Sequence, residues 1–169
     1  MRIKGKEINE PNVELIILPR PSGEDIIFHA GCITSYDEFD ALVPKPKPRM
    51  KIYRDGRKEP LENESAYTDR TDDYFAKRTN WMVLKSLQNT EELEWETVDM
   101  EDPETWSNYE KELSDSKISQ IEVMRIINGV MAANGLDDAR VEEAKERFLA
   151  GPVVEESEES FQVEEPSNT

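Results

Sequence analysis

Cysteine and histidine occur once each, as Cys32 and His29. A lone thiol excludes an internal disulfide framework and fits a reducing cytoplasm, and no Cys/His cluster of metal-site spacing can be assembled. Glycine is scarce, at seven residues in 169, and neither a glycine-rich phosphate loop nor a calcium-loop pattern is present. Long apolar runs are missing too. The longest reach only four residues, and the start, MRIKGKEINEPN, holds no run of signal-peptide length. A soluble intracellular protein with no membrane partner is expected.

The same scarcity argues against catalysis. The classical hydrolytic triads need a histidine shared by a nucleophile and a carboxylate, and His29 sits at a predicted strand end beside Ala30 and Gly31. Cys32 follows three residues on, but positions i and i+3 of a strand point to opposite faces, so an inert thiol is expected. Carboxylates abound, yet pairs such as Asp72-Asp73 and Glu142-Glu143 are adjacent on predicted helices and cannot converge on one site. Solvated faces are the preferred reading over acid-only metal catalysis. The expectation is a chain that is not an enzyme and takes no cofactor or metal.

What is abundant is acid. The formal charge is −17, with apolar residues at 36% and charged ones at 35%, so the core is modest. Residues 1–60 carry eleven Lys/Arg against ten Asp/Glu, and residues 61–169 carry ten against twenty-eight, or −18. Such a surface repels phosphate backbones and excludes nucleic acid as a partner; it suits a basic or aggregation-prone protein, or plain solubility.

Along the chain, Glu14–Leu18 and Asp25–Phe28 are β-branched-rich runs around the turn formers Pro19–Glu24, a predicted hairpin. Because the runs are apolar without clean alternation, both faces are expected to be covered. A short helix is predicted over 35–42, with Ser35 and Glu38 at capping-box spacing. Pro44-Lys45-Pro46-Lys47-Pro48 reads as extended polyproline II, preferred as a spacer over a partner-recognition segment. Met50–Tyr53, Asp55-Gly56 and Lys58–Leu61 give a second hairpin, its return strand an edge because of Pro60. Residues 66–87 predict the longest helix, with Tyr67, Tyr74 and Trp81 seven apart and Phe75, Met82, Leu84 and Leu87 widening the stripe. Leu93, Trp95 and Val98 then alternate with acids in an extended segment.

Asp102 to Leu149 reads as three short helices. Asp102 caps the first, with Pro103 at its opening position and Trp106, Tyr109 and Leu113 on one face. Ser119 and Glu122 form a capping box for the second, with Ile118 and Val123 as a hydrophobic staple, Ile126, Ile127, Val130 and Met131 within the buried stripe, and Asn134-Gly135 as the stop. Asp137 caps the third, striped by Val141, Ala144 and Phe148 and stopped by Gly151-Pro152. Short loops require the three to fold back on one another. Residues 152–169, with six Glu and no Lys or Arg, are expected to be disordered, with Phe161 and Val163 as a hydrophobic hook.

The predicted fold class is α+β. Residues 1–61 form a β-rich part with hairpins and a short helix, 62–151 a cluster of about four helices packed with it, and 152–169 an acidic tail. Core packing accounts for most of the aromatics, but a groove between the 66–87 and 119–133 helices is expected to stay open for an apolar or amphipathic helix. Its expected contacts are Trp81, Met82, Trp106, Ile127 and Met131.

The order of a β-rich start, then RTNWMVLKSL, LEWETVD, DPETWSNYEKEL, ISQIEVMRIINGVMAANGLD and a tapering acidic end resembles the small tail assembly chaperones of long-tailed bacteriophages, over residues 13–149. The resemblance implies a non-enzymatic protein of the bacterial host cytoplasm. Such a protein keeps a tape-measure-like client soluble, helps recruit tail tube subunits, and has no catalytic residues to carry over. Several such families also make a longer frameshifted form, which a protein sequence does not display. Two alternatives stand beside it: a structural tail or head-completion subunit that forms a homo-oligomer through the N-terminal hairpin, and an acidic decoy that mimics DNA.

Overall fold

A computed structural model describes residues 1–8 and 11–150. The fold is α+β, and it divides into two units, Met1–Asp137 and Asp138–Thr169. The first unit contains the β-rich part and three of the four longer helices together. The expected tail, 152–169, lies outside the described residues.

Three two-stranded antiparallel ribbons open the chain, each followed by its own turn chemistry. Strands β1 (Arg2–Ile3) and β2 (Lys6–Glu7) meet across Lys4-Gly5, both at positive φ, the two-residue turn whose twist matches a hairpin. Strands β3 (Val13–Leu18) and β4 (Ile26–Gly31) pair with Leu15 opposite His29 and Ile17 opposite Ile27. Helix α1 (Asp37–Leu42) follows. The Ser35–Glu38 capping box does not form there; Ser35 Oγ instead accepts from the Asp37 N–H, and Tyr36 takes the cap position. Strands β5 (Met50–Ile52) and β6 (Lys58–Pro60) close over Asp55-Gly56, with Gly56 at positive φ as that turn demands.

Helix α2 (Ser65–Leu87) spans the predicted stripe, and its last two turns are buried almost all round, through Trp81, Met82, Val83, Leu84, Ser86 and Leu87. The predicted extended segment after it forms turns, with Leu93, Trp95 and Val98 packed on the core. Among the described residues no strand partners it. The Glu112 carboxylate takes the N–H groups of Glu96 and Thr97 and the Thr97 hydroxyl in place of a ladder.

Helix α3 begins at Asn108 and runs to Asp115, five residues later than Asp102-Pro103 predicts. Asp102 Oδ1 caps a turn at the Glu104 N–H, and the Thr105 hydroxyl bonds the Asp99 and Asp102 carbonyls, so local side-chain bonds displace the first helical turn. Helix α4 (Gln120–Ala133) carries the predicted capping box complete, with Ser119 Oγ and the Glu122 carboxylate bonding reciprocally, and it ends at Asn134 with Gly135 left-handed. Helix α5 (Asp138–Ala150) belongs to the second unit, and its Val141, Phe148 and Leu149 are exposed. Of the expected three-helix fold-back, the first unit contains α3 packed against α4.

The hairpin β3–β4 forms one layer and α2 and α4 the other, α4 lying chiefly under β3 and α2 under β4. Polar clasps fix β3 along α4 at both ends. Asn12 Nδ2 donates to the Ala133 carbonyl, one of the orphan acceptors at the helix C-terminus, and Arg20 pairs with Glu122 in the first turn. Between them Ile16 lies against Gly129, where no side chain keeps the two backbones apart. A third clasp, Asn134, accepts from the Ile33 N–H and donates to Ser86 Oγ and the Val130 carbonyl, joining the exit of β4 to the ends of α2 and α4.

Candidate partner-binding surface

Of the side chains expected to line an open groove, three are core. Trp81 is 1% exposed, Trp106 0% and Met82 7%. Phe39 of α1 is the reason. Its ring lies 5.4 Å from Tyr74, 5.8 Å from Trp81 and 6.0 Å from Trp106, and Tyr36 adds a further ring 5.4 Å from Trp81, so a helix of six residues plugs the aromatic stripes. Trp106 also spends its one donor inside the fold, on the Asp99 carbonyl at 3.1 Å. Contact with a partner through Trp81, Met82 and Trp106 is thus corrected to core packing. Ile127 and Met131 are half-buried on α4, with Met131 against the core. On the same helix Ile121 and Met124 stand in solvent.

The larger apolar surface is the outer face of β3–β4, which the sequence reading expected to be covered. Ile16, Leu18, Phe28 and Ala30 point inward and are sealed, whereas Val13, Leu15, Ile17 and Ile27 point outward and are exposed, Leu15 by 53%. Two helices can cover one face of a ribbon; an apolar run on both faces leaves the second open. That signal was available in VELIIL, apolar on both faces but for Glu14, but deciding which face stays bare needs the layer count.

The edge of β3 is open as well. The Cys32 N–H bonds the Asn12 carbonyl, which sets the ladder so that Glu14, Ile16 and Leu18 exchange bonds with β4 and the N–H and C=O groups of Val13, Leu15 and Ile17 point away from it. Among the described residues nothing takes those outward groups. The opposite edge differs, because the Thr90 hydroxyl bonds both the N–H and the carbonyl of His29.

Electrostatics around this surface are built rather than incidental. The Ser119 backbone N–H, then the Arg20 guanidinium and the Ser119 hydroxyl, hold the Glu122 carboxyl down at about 2. For Glu112, burial alone pushes the carboxyl up, but the Thr97 hydroxyl and the N–H groups of Glu96 and Thr97 outweigh it and the net direction is down. That carboxylate borders a recess of about 460 Å³ lined also by Glu94, Asn108, Lys111 and Asp115. A second recess, of about 430 Å³, lies beside the edge of Trp81 under the Lys85–Glu38 ion pair, 2.6 Å long. In the first recess the Thr97 hydroxyl donates to the Glu112 carboxylate at 2.6 Å. The His29 imidazole is exposed and Cys32 half-buried, and no group of three or more His, Cys, Asp or Glu among the described residues is placed to hold a metal ion. No helix among them is long and apolar enough to cross a membrane.

No family model, curated protein or solved structure matches this chain.

Proposed function

We propose that this chain is a non-enzymatic, polypeptide-binding accessory protein of the tail-assembly-chaperone kind, which holds a tape-measure-like client, and in turn tail tube subunits, in the bacterial host cytoplasm. The observation that supports it is the six-residue β3 edge, with unpaired outward N–H and C=O groups and Val13, Leu15 and Ile17 exposed on one side. Such an edge accepts an extended segment by strand addition, the backbone supplying affinity and alternate side chains supplying selectivity. Ile121 and Met124 on α4 are further exposed apolar side chains. The acidic remainder keeps the complex soluble while the apolar surface is occupied.

Co-expression tests the reading. A tape-measure-like or other coiled-coil-rich client should remain in the soluble fraction with this chain and precipitate with the Leu15→Lys/Ile17→Lys variant. Lack of any rescue by the unmodified chain sinks the proposal. The same edge favours one other reading, a structural subunit. An antiparallel pairing centred on Leu15 sets Val13 of one copy against Ile17 of another, so two copies can complete each other's ladder. Light scattering separates the two, a stable homo-oligomer without client supporting the subunit.

A further inference from the structure

The ribbon β5–β6 is a basic island on an acidic molecule. Residues 45–58 hold seven of the chain's 21 cations and one carboxylate, Asp55, for a local +6 that leaves −23 elsewhere. Arg49 pairs with Glu64 at 3.1 Å and Arg57 with Asp55 at 3.6 Å, whereas Lys45, Lys47, Lys51, Arg54 and Lys58 have no carboxylate partner among the described residues. The cations that border Tyr53 are held in place. Lys51 Nζ lies 4.8 Å and Arg57 Cζ 4.6 Å from its ring centroid, and its hydroxyl donates to Glu59 at 2.6 Å, so the ribbon is pre-organised. Every residue of both strands is exposed, Met50 by 50% and Ile52 by 67%.

The ladder phase fixes what the ribbon offers. Tyr53 N–H bonds the Arg57 carbonyl and Leu61 N–H the Arg49 carbonyl, so on β5 the N–H and C=O groups of Met50 and Ile52 point away from β6. Among the described residues nothing takes them. On the far edge the outward residues are Lys58 and Pro60, and Pro60 has no N–H to give, so β5 is the usable edge. Alternate side chains divide between the two faces, with Arg49, Lys51 and Tyr53 on one and Met50 and Ile52 on the other. A chain lying along β5 therefore meets cations at one set of alternate positions and apolar side chains at the next. Its complement is acid alternating with apolar residues. A phosphodiester chain fits less well, because it brings acceptors alone and sets them against the outward Met50 and Ile52 carbonyls. We propose that the outer edge of β5 docks an extended acidic segment of another protein, with acid and apolar residues alternating, which adds as a third antiparallel strand. Each apolar residue of that segment exchanges two backbone bonds with Met50 or Ile52, and its acids face Arg49 and Lys51. The site is separate from the client edge of β3 and stands without it. The cations that bar neutral or basic chains from β5 select the acidic one.

Titration of the full chain with the fluorescein-labelled peptide Glu-Val-Glu-Val-Glu tests this, anisotropy giving affinity and amide hydrogen exchange giving place. Saturating peptide should slow exchange of the Met50 and Ile52 amides at least about tenfold and leave those of Leu15 and Ile17 unchanged. The same peptide N-methylated at both valines keeps its charge but loses the two donors that face β5, and should bind at least about tenfold more weakly. Lys51→Glu/Arg54→Glu should weaken the acidic peptide by about tenfold and bind Lys-Val-Lys-Val-Lys in its place, a reversal that an unfolded ribbon would not show. Unchanged exchange at Met50 and Ile52, or equal binding of the N-methylated peptide, overturns the proposal. So does an oligothymidylate that protects the same amides as well as the peptide does, since the edge would then take phosphates. Protection that appears without peptide and rises with protein concentration overturns it too, because the strand would come from a second copy.

Discussion

Gly129 is where β3 and α4 come closest, and the sign of its replacement by alanine depends on that approach being real. In an isolated helix Gly→Ala gains about 1 kcal/mol. Here a Cβ on Gly129 would fall 2.5 Å from Ile16 Cδ1 and closer still to Cγ1. Ile16 is 4% exposed, and as a β-branched residue it has little rotamer freedom with which to withdraw. Overpacking of this kind costs about 1–3 kcal/mol, so after the helical gain the Gly129→Ala protein should lose on the order of 1 kcal/mol. The clash lies with two atoms, and Ile16→Ala removes both. That substitution alone costs about 2–5 kcal/mol, but in its background Gly129→Ala should turn stabilising by about 1 kcal/mol, giving a coupling of about 2 kcal/mol between the sites. Urea unfolding followed by tryptophan fluorescence reads both, since Trp81 and Trp106 are sealed and change environment on unfolding. A stabilised Gly129→Ala protein, or strict additivity of the pair, would refute the seating of the hairpin on α4.

Two further outcomes follow from the same packing. Glu122 is held at about 2, below its ordinary 4.5, so its stabilising contribution is fully present above pH 4.5 and is lost as the pH falls toward 2; urea midpoints of the unmodified chain and Glu122→Gln should differ at pH 6 and converge near pH 2. Trp106→Ala should cost about 3–5 kcal/mol and abolish the cooperative thermal transition seen by circular dichroism; a variant that melts as before yet fails to hold a client would return Trp106 to the surface.

The elements whose signals are local were legible in the sequence. Ser119 and Glu122 lie three residues apart and need only each other, Asp55-Gly56 needs only its own turn, and the 23-residue span of α2 is carried by its own periodicity. The β1–β2 ribbon was not legible, because its turn places Lys4 at φ 50, a conformation lysine seldom signals. The seven-residue spacing of Tyr74 and Trp81 showed that they share a face but not what lies on it. That is decided by Phe39, some forty residues away on a helix too short to announce a groove-filling role. The same limit applies to the hairpin. VELIIL says that two faces are apolar, and only the arrival of α2 and α4 on one side says which remains in solvent.

Sheet edges are ordinarily guarded by charge, proline or brevity, because an unpaired ladder invites another chain. The β5–β6 ribbon follows this rule with its lysines and arginines, Pro60 and strands of three residues. Strand β3 does not: it is twice as long, carries Glu14 as its one charge, and adds three exposed apolar side chains. Two copies, each at −17, repel through water, but that repulsion decays over roughly 10 Å at 0.1 M salt and does not reach into a formed interface. It therefore slows chance encounters between copies without blocking a neutral or basic segment that lies along the edge. An unguarded apolar strand inside an acidic molecule is selective in that sense, admitting an extended chain of another kind more readily than a second copy of its own, and for this reason the client surface we propose is on β3 rather than on the sealed tryptophans.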